Sequence, residues 1–413
     1  MVVDLNVRKK LELLFCLTVL FIFSGAYTSF FAISSITKYI ILGINLIIIL
    51  LFLINIGQFL KIINYNKVLV LLLFFCFISV LWSQNTVVTI FKVLQLISTT
   101  LFGIYIVVRF KFSEWLRILG FMFFISIVLC FFTAIFNPSM GISSGFHEGA
   151  WKGIYGQKNS LGINMVWSSF VFLVLYISST KNKYIFLTGF LLSFILILLS
   201  NSSSALIVFI STILIGFILI RLLKLNIYIL VPLICFFMIL AYTTIHFIFI
   251  NIDTIFNLFN RDVTLTGRTE IWNVIINYFI SNNLWLGYGY GVFWSGQVND
   301  IYTFYRLIGF ETITSHNGFL DIILDIGLIG LILFLINLMT TFINSIMLVR
   351  NGKMNRSFYW FTFYIIIALF YNFSESLFLK ENSLFWILFV TTSLYSCKLN
   401  IELKKLKGSH YDY

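Results

Sequence analysis

Long apolar runs follow one another along the chain with short polar breaks between them. They fall at about 12–33, 39–60, 67–83, 87–108, 115–136, 160–178, 184–200, 204–221, 226–249, 317–348, 358–374 and 383–397. A helix crosses the hydrocarbon core with about 20 mostly apolar residues. The pattern predicts an all-α membrane protein with about twelve transmembrane helices, a single polytopic domain over residues 1–413. The fourth run is the least regular, interrupted by Lys92, Gln95 and several threonines. Two connections are long, residues 137–159 and 250–316. Both fall on the same, outer side when the spans alternate.

Composition supports this reading. Of 413 residues 60% are apolar, 49 are Phe and 10% are charged, against about 25% charged in soluble domains. The net charge of +12 sits in short clusters between apolar runs, not on a basic stripe that would track nucleic acid. One set of alternate connections holds Arg8, Lys9 and Lys10, then Lys61 and Lys67, then Arg109, Lys111 and Arg117. It continues with Lys181 and Lys183, Arg221 and Lys224, Arg350, Lys353 and Arg356, and the basic tail from Lys398. The other side holds only Lys38, Lys152, Lys158, Arg261, Arg268, Arg306 and Lys380. Positive charge collects in cytoplasmic loops, so both termini are expected inside and both long loops outside. Cys16, Cys76, Cys130, Cys235 and Cys397 lie in or beside apolar runs without ligand spacing, and read as small apolar side chains. The first run is too long for a signal-peptide core and reads as a retained span. Neither GxxxxGK[ST] nor GxGxxG occurs, so the phosphate cradle of an ATP-driven or dinucleotide mechanism is missing.

Polar residues with chemical potential gather on the outer side. In the long loop, Arg268 opens an amphipathic pattern whose polar stripe is Glu270, Asn273 and Asn277, read as a helix lying on the membrane surface. A cation in a first helical turn opposes the helix dipole. That conflict disappears if an anion binds there, and also if Arg268 pairs with a glutamate. The Gly287-Tyr288-Gly289-Tyr290-Gly291 run suggests a loop packed closely against something. His316 stands at the rim of the long run that follows, placed for proton exchange or for a simple capping role. That run, at about 48 Å of helix, exceeds the bilayer core, so it must tilt or project its first turns outward. Asp321 and Asp325 lie one turn apart, and carboxylates in a span call for a cation. Arg268, Arg306 and Lys158 are the candidates. Glu375 ends another span. In the shorter loop Lys152 and Lys158, flanked by glycines and followed by Asn159, could hold a phosphate or a lipid head group. No spacing demands a metal.

Taken in order, these segments resemble the O-antigen ligase and polymerase superfamily. The resemblance rests on Gly267-Arg268-Thr269-Glu270-Ile271-Trp272, on Ser315-His316-Asn317-Gly318-Phe319-Leu320-Asp321 running into Gly327-Leu328-Ile329-Gly330, on Gly156-Gln157-Lys158-Asn159-Ser160-Leu161-Gly162 and on Asn372-Phe373-Ser374-Glu375-Ser376. It extends from about residue 150 to 390. It implies an inverting glycosyl transfer at the outer face of a bacterial inner membrane, from a polyprenyl-diphosphate-linked donor to a glycan acceptor, with no cofactor and no metal. His316 matches the family residue that activates the acceptor, and Arg268 the one that binds diphosphate. Lys152, Lys158, Asn159, Arg306, Asn317, Asp321 and Glu375 are the further substrate-binding candidates. A chain-length regulator is a candidate partner. The family often carries a cation in the serine-rich segment near the eighth span. Here that segment reads Leu199-Ser200-Asn201-Ser202-Ser203-Ser204, so Lys158 or Arg306 would have to supply the charge. A polymerase of lipid-linked repeat units, for O-antigen or capsule, is the leading expectation. A ligase delivering glycan to a lipid A core is the second, and a lipid-linked glycan flippase or transporter the third. The third fits less well, because only Pro138 and Pro232 could break helices and the polar residues gather at one face.

Overall fold

The computed structural model describes residues 5–30, 35–225, 268–296, 299–351 and 355–408. Its regular elements there are helices, with one isolated antiparallel bridge between Ile142 and Trp151. The helices are α1 (Leu5–Phe23), α2 (Ser35–Ile54), α3 (Ile56–Ile63), α4 (Lys67–Ile78), α5 (Thr86–Arg109), α6 (Phe112–Phe136) and α7 (Lys158–Ser178). They continue as α8 (Lys183–Leu199), α9 (Ser203–Leu222), α10 (Arg268–Val274), α11 (Asn299–Ile308), α12 (Gly318–Asn351), α13 (Tyr359–Asn372) and α14 (Leu384–Gly408). Among the described residues 7 helices are long and apolar enough to cross a membrane alone, and α3 with α4, bent by 106°, makes up to 8. By that measure the count falls short of the expected twelve. The helices α4, α8 and α13 are short, and the run 226–249 with Cys235 lies outside the described residues.

Local chemistry sets several boundaries. Asn66 caps α4 by accepting from the Leu69 N–H, and Asn85 caps α5 through Val88. The run expected at 39–60 is instead two helices, because α2 stops at Ile54 and α3 restarts beyond Asn55. The irregular fourth run is one continuous helix. Its polar residues all find partners: Lys92 pairs with Glu381 at 3.3 Å, Gln95 and Thr99 bind Asn382, and Thr100 accepts from the Trp386 indole. Polar side chains in a span are stable when a neighbouring helix satisfies them.

Away from lipid the bundle is dense. Trp167 and Phe170 of α7 pack against Trp360, Phe363 and Tyr364 of α13, and Phe209 of α9 packs against Phe170. Gly216 permits this approach, since a methyl there would strike the Phe363 ring. The Asn66 amide donates to Asn337 (2.8 Å) and Ser393 (2.7 Å), and Thr341 donates to Ser393 (2.9 Å). This ties α4, α12 and α14 together. Cys16, Cys76, Cys130 and Cys397 are buried free thiols, as their apolar setting implies.

The helix α12 is broken near its start. Ile326 and Gly327 leave helical geometry, Gly327 with φ 68° and ψ −172°. The long run therefore neither tilts as one rod nor simply projects: its first two turns are a separate segment. The Gly287–Gly291 loop wedges against this break. Leu328 N–H donates to Leu284 (2.8 Å), Tyr288 N–H to Leu324 (2.8 Å) and Gly289 N–H to Asp325 (3.0 Å). Beside it, α10, its π-helical continuation Ile275–Ile280 and α11 form a small second core of Ile271, Ile275, Phe279, Phe293, Ile301 and Phe304. The apolar face expected to lie on the membrane is thus partly spent on protein, with Ile276 and Tyr278 left exposed.

Candidate active site

At the end of α13, Asn372 folds the chain back on itself. Its amide donates to Ala368 (2.7 Å) while its oxygen accepts from Leu377 and Phe378, both at 3.0 Å. The turn so formed carries Glu375. One Glu375 oxygen lies 3.4 Å from the Arg268 guanidinium and the other 3.4 Å from Nδ1 of His316. Glu375 is 14% exposed, Arg268 23% and His316 35%. The carboxylate engages Nδ1 and leaves Nε2 as the ring nitrogen free to meet a proton. Distances of this length commonly tighten when a substrate binds.

His316 holds φ at 54°, a left-handed conformation that costs a non-glycine residue of order 1–3 kcal/mol and persists where its surroundings over-determine it. The preceding residue shows how. Ser315 is fully buried. Its N–H donates to Asp321 (3.1 Å), its carbonyl accepts from the Trp272 indole (2.9 Å), and its hydroxyl donates to the Asn317 carbonyl (2.8 Å). Asn317 then caps α12 by accepting from Phe319 and Leu320. Trp272 sits one turn beyond Arg268 on α10, so the helix bearing the guanidinium is latched to the strained histidine.

A second charged cluster lies behind the first. Asp321 is 2% exposed, and receives Lys380 (3.2 Å) on one oxygen and the Trp294 indole (3.0 Å) with the Ser315 N–H on the other. Asp325 accepts from the Gly291 N–H (3.0 Å). The expected cations for this pair are corrected here: among the described residues it is Lys380, not Arg268, Arg306 or Lys158, that meets Asp321. Burial alone would lower the Lys380 ammonium, but Asp321, Asp325 and Glu381 outweigh it and hold it well above its ordinary range. Burial pushes Glu381 up, and Lys92 and Lys380 pull it further down, to a net value below the usual carboxylate range. The buried Tyr290 hydroxyl donates to the Leu379 carbonyl (2.6 Å) and lies 3.2 Å from Glu381. Sequence reading did not single out Lys380, Trp272 or Trp294. The signal for Lys380 was present in its position on the cation-poor side, next to Glu381.

Lys158 begins α7, and its ammonium lies 3.4 Å from the Asn201 carbonyl in the serine-rich segment. Asn159 accepts from Ser202 (3.2 Å) in the same segment. A cation thus stands beside the serines although the segment contains none. Antiparallel packing of α7 on α13 puts Lys158 and Glu375 at the same end of the bundle. Lys152 is half-buried in the loop before α7, and Arg306 is exposed on α11. No hydrogen bond or ion pair joins Lys152, Lys158, Asn159 or Arg306 to the His316 cluster among the described residues.

An all-α membrane protein that gathers a histidine, a carboxylate and a guanidinium at one bundle end has the parts for proton transfer beside an anion. Residues 188–335, which hold Arg268, His316 and Asp321, match the family described as O-antigen ligase. Over that stretch the chain is similar to the O-antigen ligase family of membrane proteins. No curated protein matches the chain.

Proposed function

We propose that the protein is an inverting glycosyltransferase of the bacterial inner membrane, with twelve spans and both termini cytoplasmic. It joins repeat units carried on a polyprenyl diphosphate at the outer face. The observation that carries this reading is the shared carboxylate: Glu375 touches both Arg268 and His316 at 3.4 Å. In the reaction, His316 Nε2 takes the proton of the acceptor hydroxyl, and that oxygen attacks the anomeric carbon of the donor sugar. The bond from that carbon to the diphosphate oxygen breaks as the new glycosidic bond forms. Arg268 turns from Glu375 to the departing diphosphate, with Lys158 as a second cation. Diphosphate is already a good leaving group, so the protein's task reduces to positioning, charge neutralisation and one proton transfer.

The same chemistry serves a ligase, and the description of the matched family favours that acceptor. The serine-rich segment without its own cation favours the polymerase. Purified protein supplied with lipid-linked repeat units, with or without lipid A core, decides between them: lengthened lipid-linked glycan marks a polymerase, glycosylated core a ligase. In either assay His316→Ala should lower turnover by about 100- to 10,000-fold, the usual worth of a general base, while membrane insertion is unchanged. Wild-type turnover in that variant would end the proposal.

A further inference from the structure

We propose that Asp321 and Lys380 are positioning residues, an ion pair buried at its Asp321 end whose task is to hold His316 in its left-handed conformation. The inference deepens the reading above, resting on His316 as the working base. Asp321 cannot itself reach a substrate. It is 2% exposed, and its two oxygens already receive the Ser315 N–H (3.1 Å), the Trp294 indole (3.0 Å) and Lys380 (3.2 Å). The first of these contacts fixes the peptide immediately before His316. With the Ser315 carbonyl held by Trp272 and its hydroxyl by Asn317, every polar group of that residue is tied. The following histidine then has little freedom to leave φ 54°.

Lys380 is the other end of the strut. It comes from the α13–α14 connection, five residues beyond Glu375 in sequence, so one connection supplies both the carboxylate that orients the imidazole and the ammonium that anchors Asp321. The adjacent Glu381 pairs with Lys92 of α5 at 3.3 Å and moors this connection to the bundle. The three groups that must meet, Glu375, His316 and Arg268, thus depend on a charged framework that touches no substrate.

The test compares Lys380→Met, Lys380→Arg and the charge-neutral double variant Asp321→Asn with Lys380→Met, in which an amide oxygen can still accept from Ser315. Lys380→Met should lower kcat by up to about 100-fold, the effect of a misplaced reacting group, with donor KM unchanged. Lys380→Arg should recover most of the loss, and the double variant should fall between them. A second reading needs no turnover: modification of His316 by diethyl pyrocarbonate, followed by mass spectrometry, should change rate in Lys380→Met and return toward wild type in Lys380→Arg. An unchanged modification rate in a folded Lys380→Met protein overturns the strut. A rise in KM with kcat intact also overturns it, since that marks substrate binding. Failure of the functional reading shows differently, as an active His316→Ala enzyme with the modification pattern still as expected.

Discussion

Replacing Gly327 by alanine should unfasten the join between the long helix and the loop that wedges into it. At φ 68° and ψ −172° the residue occupies a region essentially closed to side chains, at a cost of order 1–3 kcal/mol for any other residue. An added methyl would also run into the backbone of Trp285 and Leu286, atoms that cannot swing aside as a flexible side chain can. Relief requires the loop to retreat, which gives up the Leu328–Leu284 and Tyr288–Leu324 hydrogen bonds at about 1 kcal/mol each. The sum is about 3–5 kcal/mol. Gly309 is the control. Its φ is 81°, but no atom lies within 4 Å of a methyl placed there, so Gly309→Ala should cost only about 1–2 kcal/mol. Apparent melting of both variants, followed by tryptophan fluorescence in one detergent at one scan rate, makes the comparison, and Gly327→Ala should melt several degrees lower. If the two melt within about 1 °C of each other, the close-approach argument is wrong.

Other expectations follow from the two charged clusters. Glu375→Gln keeps the shape of the side chain but frees Arg268 and the imidazole together, so turnover should fall about 100-fold or more while the melting temperature hardly moves. Turnover unaffected by that change would detach Glu375 from the chemistry. Arg268→Lys should raise donor KM, since an ammonium cannot make the paired contact of a guanidinium with phosphate oxygens; an unchanged KM counts against diphosphate binding there. Stability should also depend on pH. Glu381 titrates below its ordinary 4.5, so its contribution is present above that value and lost as pH falls through the lower folded value. Lys380 titrates above its ordinary 10.5, so its contribution is present below that value and lost as pH rises further. Melting should therefore be flat near neutrality and decline on both sides, and Glu381→Gln should blunt the acid limb.

Much of the site could be read from residue order alone, because Arg268, His316 and Glu375 each sit beside recognisable small or polar neighbours at the rim of an apolar run. Their grouping could not. Glu375 is more than a hundred positions from Arg268, and only the turn folded by Asn372 brings it back. The fourth span looked doubtful because Lys92, Gln95 and Thr100 are wrong for lipid. They are right for Glu381, Asn382 and Trp386, and periodicity carries no information about such partners. The break at Gly327 was hidden for a related reason. A glycine inside an apolar run is equally at home in a straight helix, and only the loop arriving at its back forces the kink.

The amide and hydroxyl cluster of Asn66, Asn337, Thr341 and Ser393 has a consequence for how the site keeps its dimensions. Among lipid tails, greasy surfaces offer almost no preference between one axial setting of a helix and the next. A few polar teeth meshing between helices do discriminate, because sliding α4, α12 or α14 by a turn would strand a donor in oil. The rods are thereby indexed from below, and the distances among the groups they carry at their tips are inherited from that indexing.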